Sequence, residues 1–143
     1  MKVESILKTK GTRVVTTRPH TTVMTLVNMM KLERVGSAVV SDDGVRVLGI
    51  VSERDIVNGL TSYGADLLQR RVEEIMTRDV LTCSRDDSVK AIMALMTRRR
   101  VRHIPVVENG ELRGLISIGD VVKNRLEEIE LETGVLRDYA ASR

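Results

Sequence analysis

The chain has 143 residues, 42% hydrophobic and 30% charged, with a net charge of +3, the balance of a folded soluble protein rather than a disordered or membrane-spanning one. It holds no Phe or Trp, two Tyr (Tyr63 and Tyr139), seven Met, one Cys and two His, so bases of single-stranded nucleic acid have few rings to stack on and nucleic acid is not an expected partner. Cys83 alone excludes an internal disulfide and, with so few His, a zinc set; we expect a buried structural thiol and no metal site.

The opening MKVESILKTKG lacks the apolar stretch of a secretory signal, which makes the cytoplasm the default location and no membrane contact the expectation. Val14-Val15-Thr16 reads as a short strand. Val23, Leu26, Val27 and Met30 then recur at helical spacing, with Thr21 or Thr22 as N-cap. Two β runs follow, Val35–Val40 and Gly49–Val51, joined by a turn at Asp43-Gly44, a dipeptide that accepts positive φ and favours tight hairpins. A closing helix begins near Ser52, and residues 61–71 form a connector containing a short helical piece.

The pattern then begins again. Val72–Met76 repeats Val3–Leu7, and Val80-Leu81-Thr82 takes the place of the first strand. Val89, Ile92, Met93 and Met96 form a second helical stripe behind Asp86 or Asp87; two β runs flank Asn109-Gly110, and another helix starts near Ser117. Thr16–Val23 corresponds to Thr82–Val89, and Val35–Val40 to Val101–Val106, at one offset of 66 residues. So long a period marks a duplicated domain rather than a solenoid. The units are 3–60 and 72–125, followed by a tail, 126–143, that continues as a charged helix with Leu126, Ile129 and Leu136 on one side. A unit of this length buries only about 60% of its unfolded surface. The two should therefore pack together, giving an α/β (α+β) fold of two β-α-β-β-α units related by a pseudo-two-fold axis.

The repeated Gly-apolar-apolar-Ser-x-x-Asp motif has two readings. Ser52 with Asp55, and Ser117 with Asp120, fit a capping box, which satisfies orphan N–H groups at a helix start. The same geometry fits a ligand, since a helix N-terminus attracts an anion and a carboxylate can accept both hydroxyls of a ribose. Capping needs nothing elsewhere in the chain, whereas a nucleotide site does. The Arg98-Arg99-Arg100 run follows a helix C-terminus, where cations gain from the dipole, and reads as a solvated face. Contact with a longer phosphate tail or an acidic partner is its alternative. No enzyme is expected: His20 and His103 fall at structural positions of the repeat, no Walker-type glycine loop occurs, and Asp42-Asp43 and Asp86-Asp87 read as turn and cap residues.

The β-α-β-β-α order, the VRHIPVV strand and the Gly-apolar-apolar-Ser-x-x-Asp endings resemble the cystathionine-β-synthase-type (CBS) domain family, two copies of which form a Bateman module. The resemblance implies a standalone regulatory pair, commonly a homodimer assembled through its helices, that binds AMP, ADP, ATP, NAD(H) or S-adenosylmethionine and serves a regulated partner the sequence does not name. By position, one cleft would place Asp120 and Ser117 on ribose or phosphate, with Thr12, Thr16, Val35, Gly36 and Ser37 along the adenine side. Arg102 and His103, before the Ile104-Pro105 strand, would face its phosphate. The other cleft would pair Asp55 and Ser52 with Thr77, Val80, Thr82 and Val101; its phosphate positions are the uncharged Gly36 and Ser37, with Arg54 in compensation. The competing readings are a scaffold with vestigial clefts and a redox sensor taking NADH at the Asp55 cleft.

Overall fold

The structure is a computed structural model and describes residues 1–141; residues 142 and 143 of the expected tail lie outside it. In chain order the first half holds α1 (Val3–Lys10), β1 (Thr16–Thr17), α2 (Val23–Glu33), β2 (Ser37–Val40), β3 (Gly49–Ser52) and α3 (Glu53–Tyr63). Two 3-10 segments, Gly64–Gln69 and Val72–Glu74, lead into α4 (Val89–Arg99), β4 (His103–Glu108), β5 (Glu111–Ser117) and α5 (Ile118–Ala141).

In the first half β1 runs parallel to β2, and β2 pairs antiparallel with β3, Ser37 facing Ser52. In the second half β4 and β5 form an antiparallel hairpin in which His103 faces Ser117. The strand expected at Val80–Thr82 reduces to one parallel bridge, Cys83 to Val106, held by two backbone hydrogen bonds of 3.0 and 2.9 Å. Cys83 is buried, and burial, with Asp87 and Glu108 nearby, pushes its thiol up to about 12. That keeps it protonated and poorly nucleophilic.

The helix starts follow the sequence at one end and correct it at the other. Thr22 accepts from the Thr25 N–H at 3.2 Å, as expected, but the cap of α4 is Ser88, accepting from Ala91 at 3.0 Å. Asp87 is drawn backwards instead, its carboxylate accepting from the Ser84 N–H at 2.8 Å. Asn109 and Gly110 both sit at positive φ, 52° and 76°, and close the two-residue hairpin the sequence announces. The tight turn expected at Asp43-Gly44 is absent, because Val40 pairs with Gly49 and leaves a long loop between them. In that loop the Asp43 carboxylate accepts from the N–H groups of Val45 and Arg46 and organises the chain locally.

Two apolar clusters form the core, and each contains residues from the other repeat. Leu26, Met30, Ala38, Val40 and Val51 enclose Val72, with Ile75 and Met76 packed against them. Val89, Ile92, Met96, Ile104, Val106, Ile116 and Val121 enclose Val3, Ile6 and Leu7. The opening segment of each repeat is thus exchanged into the other half. Its backbone bonds are equivalent at the two ends: Val3 N–H to Asp87 O at 2.9 Å and Glu4 to Arg85 O at 3.0 Å, against Val72 to Thr21 O at 2.8 Å and Glu73 to Pro19 O at 3.0 Å. Leu7→Ala, although it lies in the first repeat, should open a cavity in the second half's core and cost about 2–5 kcal/mol, read as a lower urea midpoint. A cost below about 1 kcal/mol would show that α1 is dispensable to that core.

Candidate functional site

Each Ser-x-x-Asp motif begins a helix directly after a strand, β3 into α3 and β5 into α5. Capping is real in both. Asp55 Oδ2 accepts from the Ser52 N–H at 2.8 Å and the Ser52 hydroxyl at 3.1 Å. Asp120 Oδ2 accepts from the Ser117 N–H at 2.8 Å, and the Asp120 N–H donates to the Ser117 hydroxyl at 3.2 Å. The first helical N–H groups are also taken, Glu53 by Gly36 O at 3.1 Å and Ile118 by Arg102 O at 2.8 Å. The helix ends therefore hold fewer free donors for an anion than the motif alone suggests.

The exchanged segments give each carboxylate a further neighbour. Thr77, just past Met76, donates its hydroxyl to Asp55 Oδ1 at 3.0 Å. Lys10, at the end of α1, reaches Asp120 Oδ2 at 2.7 Å and the Leu115 carbonyl at 2.9 Å. Burial works to raise the Asp120 carboxyl, but the Lys10 ammonium and the Ser117 donors outweigh it and hold it below the usual carboxylate range. The sequence had not marked Lys10. The repeat offset shifts by three between Leu7 and Thr16, so the first copy is longer in the stretch that holds Lys10.

A cavity of about 400 Å³ opens beside Asp55, lined from both repeats by Gly36, Ser52, Arg54, Asp55 and Thr77 on one side and by Arg100, Val101, Arg102 and His103 on the other. Arg100, Arg102 and His103 thus line this cavity beside Gly36 and Arg54, the positions that the sequence reading gave to its phosphate side. A Cβ placed on Gly36 would lie 3.7 Å from His103 Cε1, so the starts of β2 and β4 abut and Arg102 and His103 reach the Asp55 side. Arg54 donates to the Arg100 carbonyl at 3.0 Å, tying α3 to the end of α4. Arg100, taken in sequence as part of a solvated run, is the αL cap of α4 and enters the lining; Arg98 and Arg99 stay exposed. Burial lowers the His103 pKa; the Glu53 and Asp120 carboxylates oppose it, while Lys10 and Arg102 add to it.

The remaining sequence candidates scatter. Ser37 is buried at β2, and Val35 packs on the first core. Ile104 is fully buried in the second core and Pro105 is buried in the hairpin, its carbonyl bonded to Cys83, so the Ile104 side chain presents no pocket surface. Thr16 lines a separate polar hollow with Thr17, Arg18 and Ser41. Thr12 and Thr82 are exposed and Val80 is half-buried, none of them lining the Asp55 cavity. Among the described residues no group of His, Cys, Asp or Glu is placed to hold a metal ion, and no helix is long and apolar enough to cross a membrane.

The sequence profile of the CBS domain matches this chain twice, at residues 3–62 and 72–127. The chain belongs to the CBS-domain family. The CBS-domain containing protein ATU1752 from Agrobacterium tumefaciens is 42% identical with a TM-score of 0.83, covering 87% of this chain and 92% of that one. An uncharacterized 17.7 kDa protein of Acidianus ambivalens is 34% identical over 134 residues, 93% of this chain and 78% of its own length. The CBS domain pair of protein MJ0100, solved with 5′-methylthioadenosine and S-adenosyl-L-methionine, shares the fold at TM-score 0.76 and 22% identity, covering 86% of this chain and 98% of that one.

The two motif carboxylates of this CBS pair thus share a fold position and differ in neighbour, a hydroxyl at one and an ammonium at the other. Because the Asp120 carboxyl is depressed in the folded chain, its stabilisation is complete above the ordinary carboxylate pKa, about 4, and is lost as pH falls through the lower folded value. Lys10→Met should raise the Asp120 pKa measured by carboxyl NMR and shrink the stability lost on acidification below pH of about 4. An unmoved Asp120 titration would mean that the ammonium does not set it.

Proposed function

We propose that this CBS pair is a regulatory module that binds adenine nucleotides, AMP, ADP or ATP and secondarily NAD(H), with the Asp55 cleft as its stronger site. The observation that carries this reading is one cavity joining a hydrogen-bonded carboxylate and two hydroxyls, Asp55 with Ser52 and Thr77, to a wall holding Arg54, Arg100, Arg102 and His103. A ribose would take the place of the Thr77 hydroxyl on Asp55 Oδ1. Phosphate oxygens would meet the arginines, whose charge-assisted bonds are roughly twice as strong as neutral ones. Adenine would lie along Ile50 and Val101, the apolar part of the lining. The fold's capacity for adenosine compounds in MJ0100 supports the ligand class.

Asp120 is the weaker ribose acceptor in this reading, since a sugar must displace or share the Lys10 ammonium bonded at 2.7 Å. The cavity walls come from both repeats, so a ligand that bridges them favours one relative placement of the halves. It shifts that equilibrium only by its difference in affinity for the two placements. No catalytic step is part of this role.

Calorimetry with AMP, ATP, NADH and S-adenosylmethionine tests it. Asp55→Ala should weaken the tighter event by about 10-fold or more, and Arg102→Ala should weaken ATP more than adenosine. No binding of any of these at millimolar concentration would leave the scaffold reading in possession. A pH series adds a second check. Burial holds His103 below its ordinary pKa, and a bound phosphate would raise it, so binding takes up a proton and tightens as pH falls from 8 to 6. His103→Gln should flatten that slope; a slope that persists in His103→Gln would place the proton elsewhere.

A further inference from the structure

The polar hollow that Thr16 enters lies at the end of β1 and β2 opposite to Gly36 and Ser52, away from the Asp55 cavity. It holds about 450 Å³, within the range of small-ligand pockets. Its walls are the end of β1, the start of α2 and the start of the loop that follows β2. The same place in the second repeat satisfies itself. At the offset of 66 residues Thr17, Arg18, Thr21 and Asp42 correspond to Cys83, Ser84, Asp87 and Glu108. There the Glu108 carboxylate accepts from the Ser84 hydroxyl at 2.9 Å and the Arg85 N–H at 2.8 Å, and Asp87 accepts from the Ser84 N–H at 2.8 Å.

In the first repeat no such closure forms. Among the described residues, the side chains of Thr16, Thr17, Arg18, Thr21 and Asp42 make no hydrogen bond or ion pair. Thr17 is only 7% exposed, yet it lines the hollow with its hydroxyl unpartnered, whereas a side chain so buried ordinarily finds a hydrogen bond. Ser41 and Asp43 are bonded to each other and to the loop backbone, which leaves Asp42 as the free carboxylate. This balance of groups selects the ligand. One guanidinium against Asp42 and Asp43 gives no net attraction for a phosphate. The lining has no aromatic ring to stack a base, and no described group of His, Cys, Asp or Glu suits a metal ion. A free guanidinium takes a carboxylate in paired charge-assisted bonds, a free carboxylate takes an ammonium, and the hydroxyls serve either. We infer that the hollow is a binding site for a free α-amino acid, with its carboxylate on Arg18, its ammonium on Asp42 and its side chain toward Met29. The loop that carries Asp42 also reaches the other half, where the Val45 carbonyl accepts from the Leu112 N–H at 2.7 Å. Occupancy is thereby linked to a contact between the halves. The inference is independent of the nucleotide reading.

Amide NMR of the full chain tests it, with L-alanine, L-serine and L-methionine as probes and propionate, ethylamine and inorganic phosphate as controls. At least one of the amino acids should shift the Thr17, Arg18 and Asp42 amides at millimolar concentration. Propionate and ethylamine, each carrying half of the charge pair, should bind about 10-fold more weakly or worse. Saturating ATP should not displace the amino acid. Arg18→Gln and Asp42→Asn, both at exposed positions, should each weaken binding about 10-fold and leave the chain folded by circular dichroism. Arg18→Ser with Thr21→Asp installs the second repeat's closed arrangement and should abolish binding in a folded chain. No shift with any of the three amino acids, propionate or phosphate binding as tightly as they do, displacement by ATP, or binding that survives Arg18→Gln with Asp42→Asn would each overturn the proposal.

Discussion

The structure depends on an exchange: the opening segment of each repeat leaves its own half and completes the core of the other. Val72 sits among Leu26, Val40 and Val51, and Leu7 sits among Ile92, Ile104 and Ile116. A half of roughly 60 residues buries only about 60% of its unfolded surface and is marginal by itself, and the exchange adds apolar burial to both at once. It also makes the halves inseparable, since removing either segment leaves an open core in the repeat it does not belong to.

The chemistry of the clefts descends from the same exchange. Each segment, having crossed over, ends beside the motif carboxylate of the half it joins, Thr77 beside Asp55 and Lys10 beside Asp120. The two segments therefore deliver different neighbours, a neutral hydroxyl to one carboxylate and a cation to the other. Two nearly identical Ser-x-x-Asp motifs become electrostatically unlike without any change in the motif. The shared wall adds to the difference, because Arg102 and His103 line the cavity beside Asp55 while Lys10 already sits on Asp120.

Capping and ligand contact turn out not to exclude each other. The caps use Asp55 Oδ2 and Asp120 Oδ2. On Asp55 the second oxygen accepts from the Thr77 hydroxyl, a bond a sugar hydroxyl can replace at little net cost. The cap holds the carboxylate in one orientation, the preorganisation that a weak polar contact needs to count in binding. At the far end of the described residues α5 runs past the body, and every residue from 129 to 141 except Gly134 is exposed.

Much of this was legible in the residues themselves. The offset of 66 residues reveals the duplication, and it would also have named Ser88 as the cap equivalent to Thr22, where a preference for Asp86 or Asp87 pointed elsewhere. Apolar period placed α2 and α4, and Asn109-Gly110 placed its hairpin, because these depend on local φ and on spacing along one segment. Periodicity says that a face is buried but not against what. The crossing of Val3–Lys10 and Val72–Glu74, the Lys10–Asp120 pair, and the arrival of Arg100, Arg102 and His103 beside Asp55 were decided by tertiary packing alone. These contacts join residues that are neighbours only once both cores have closed.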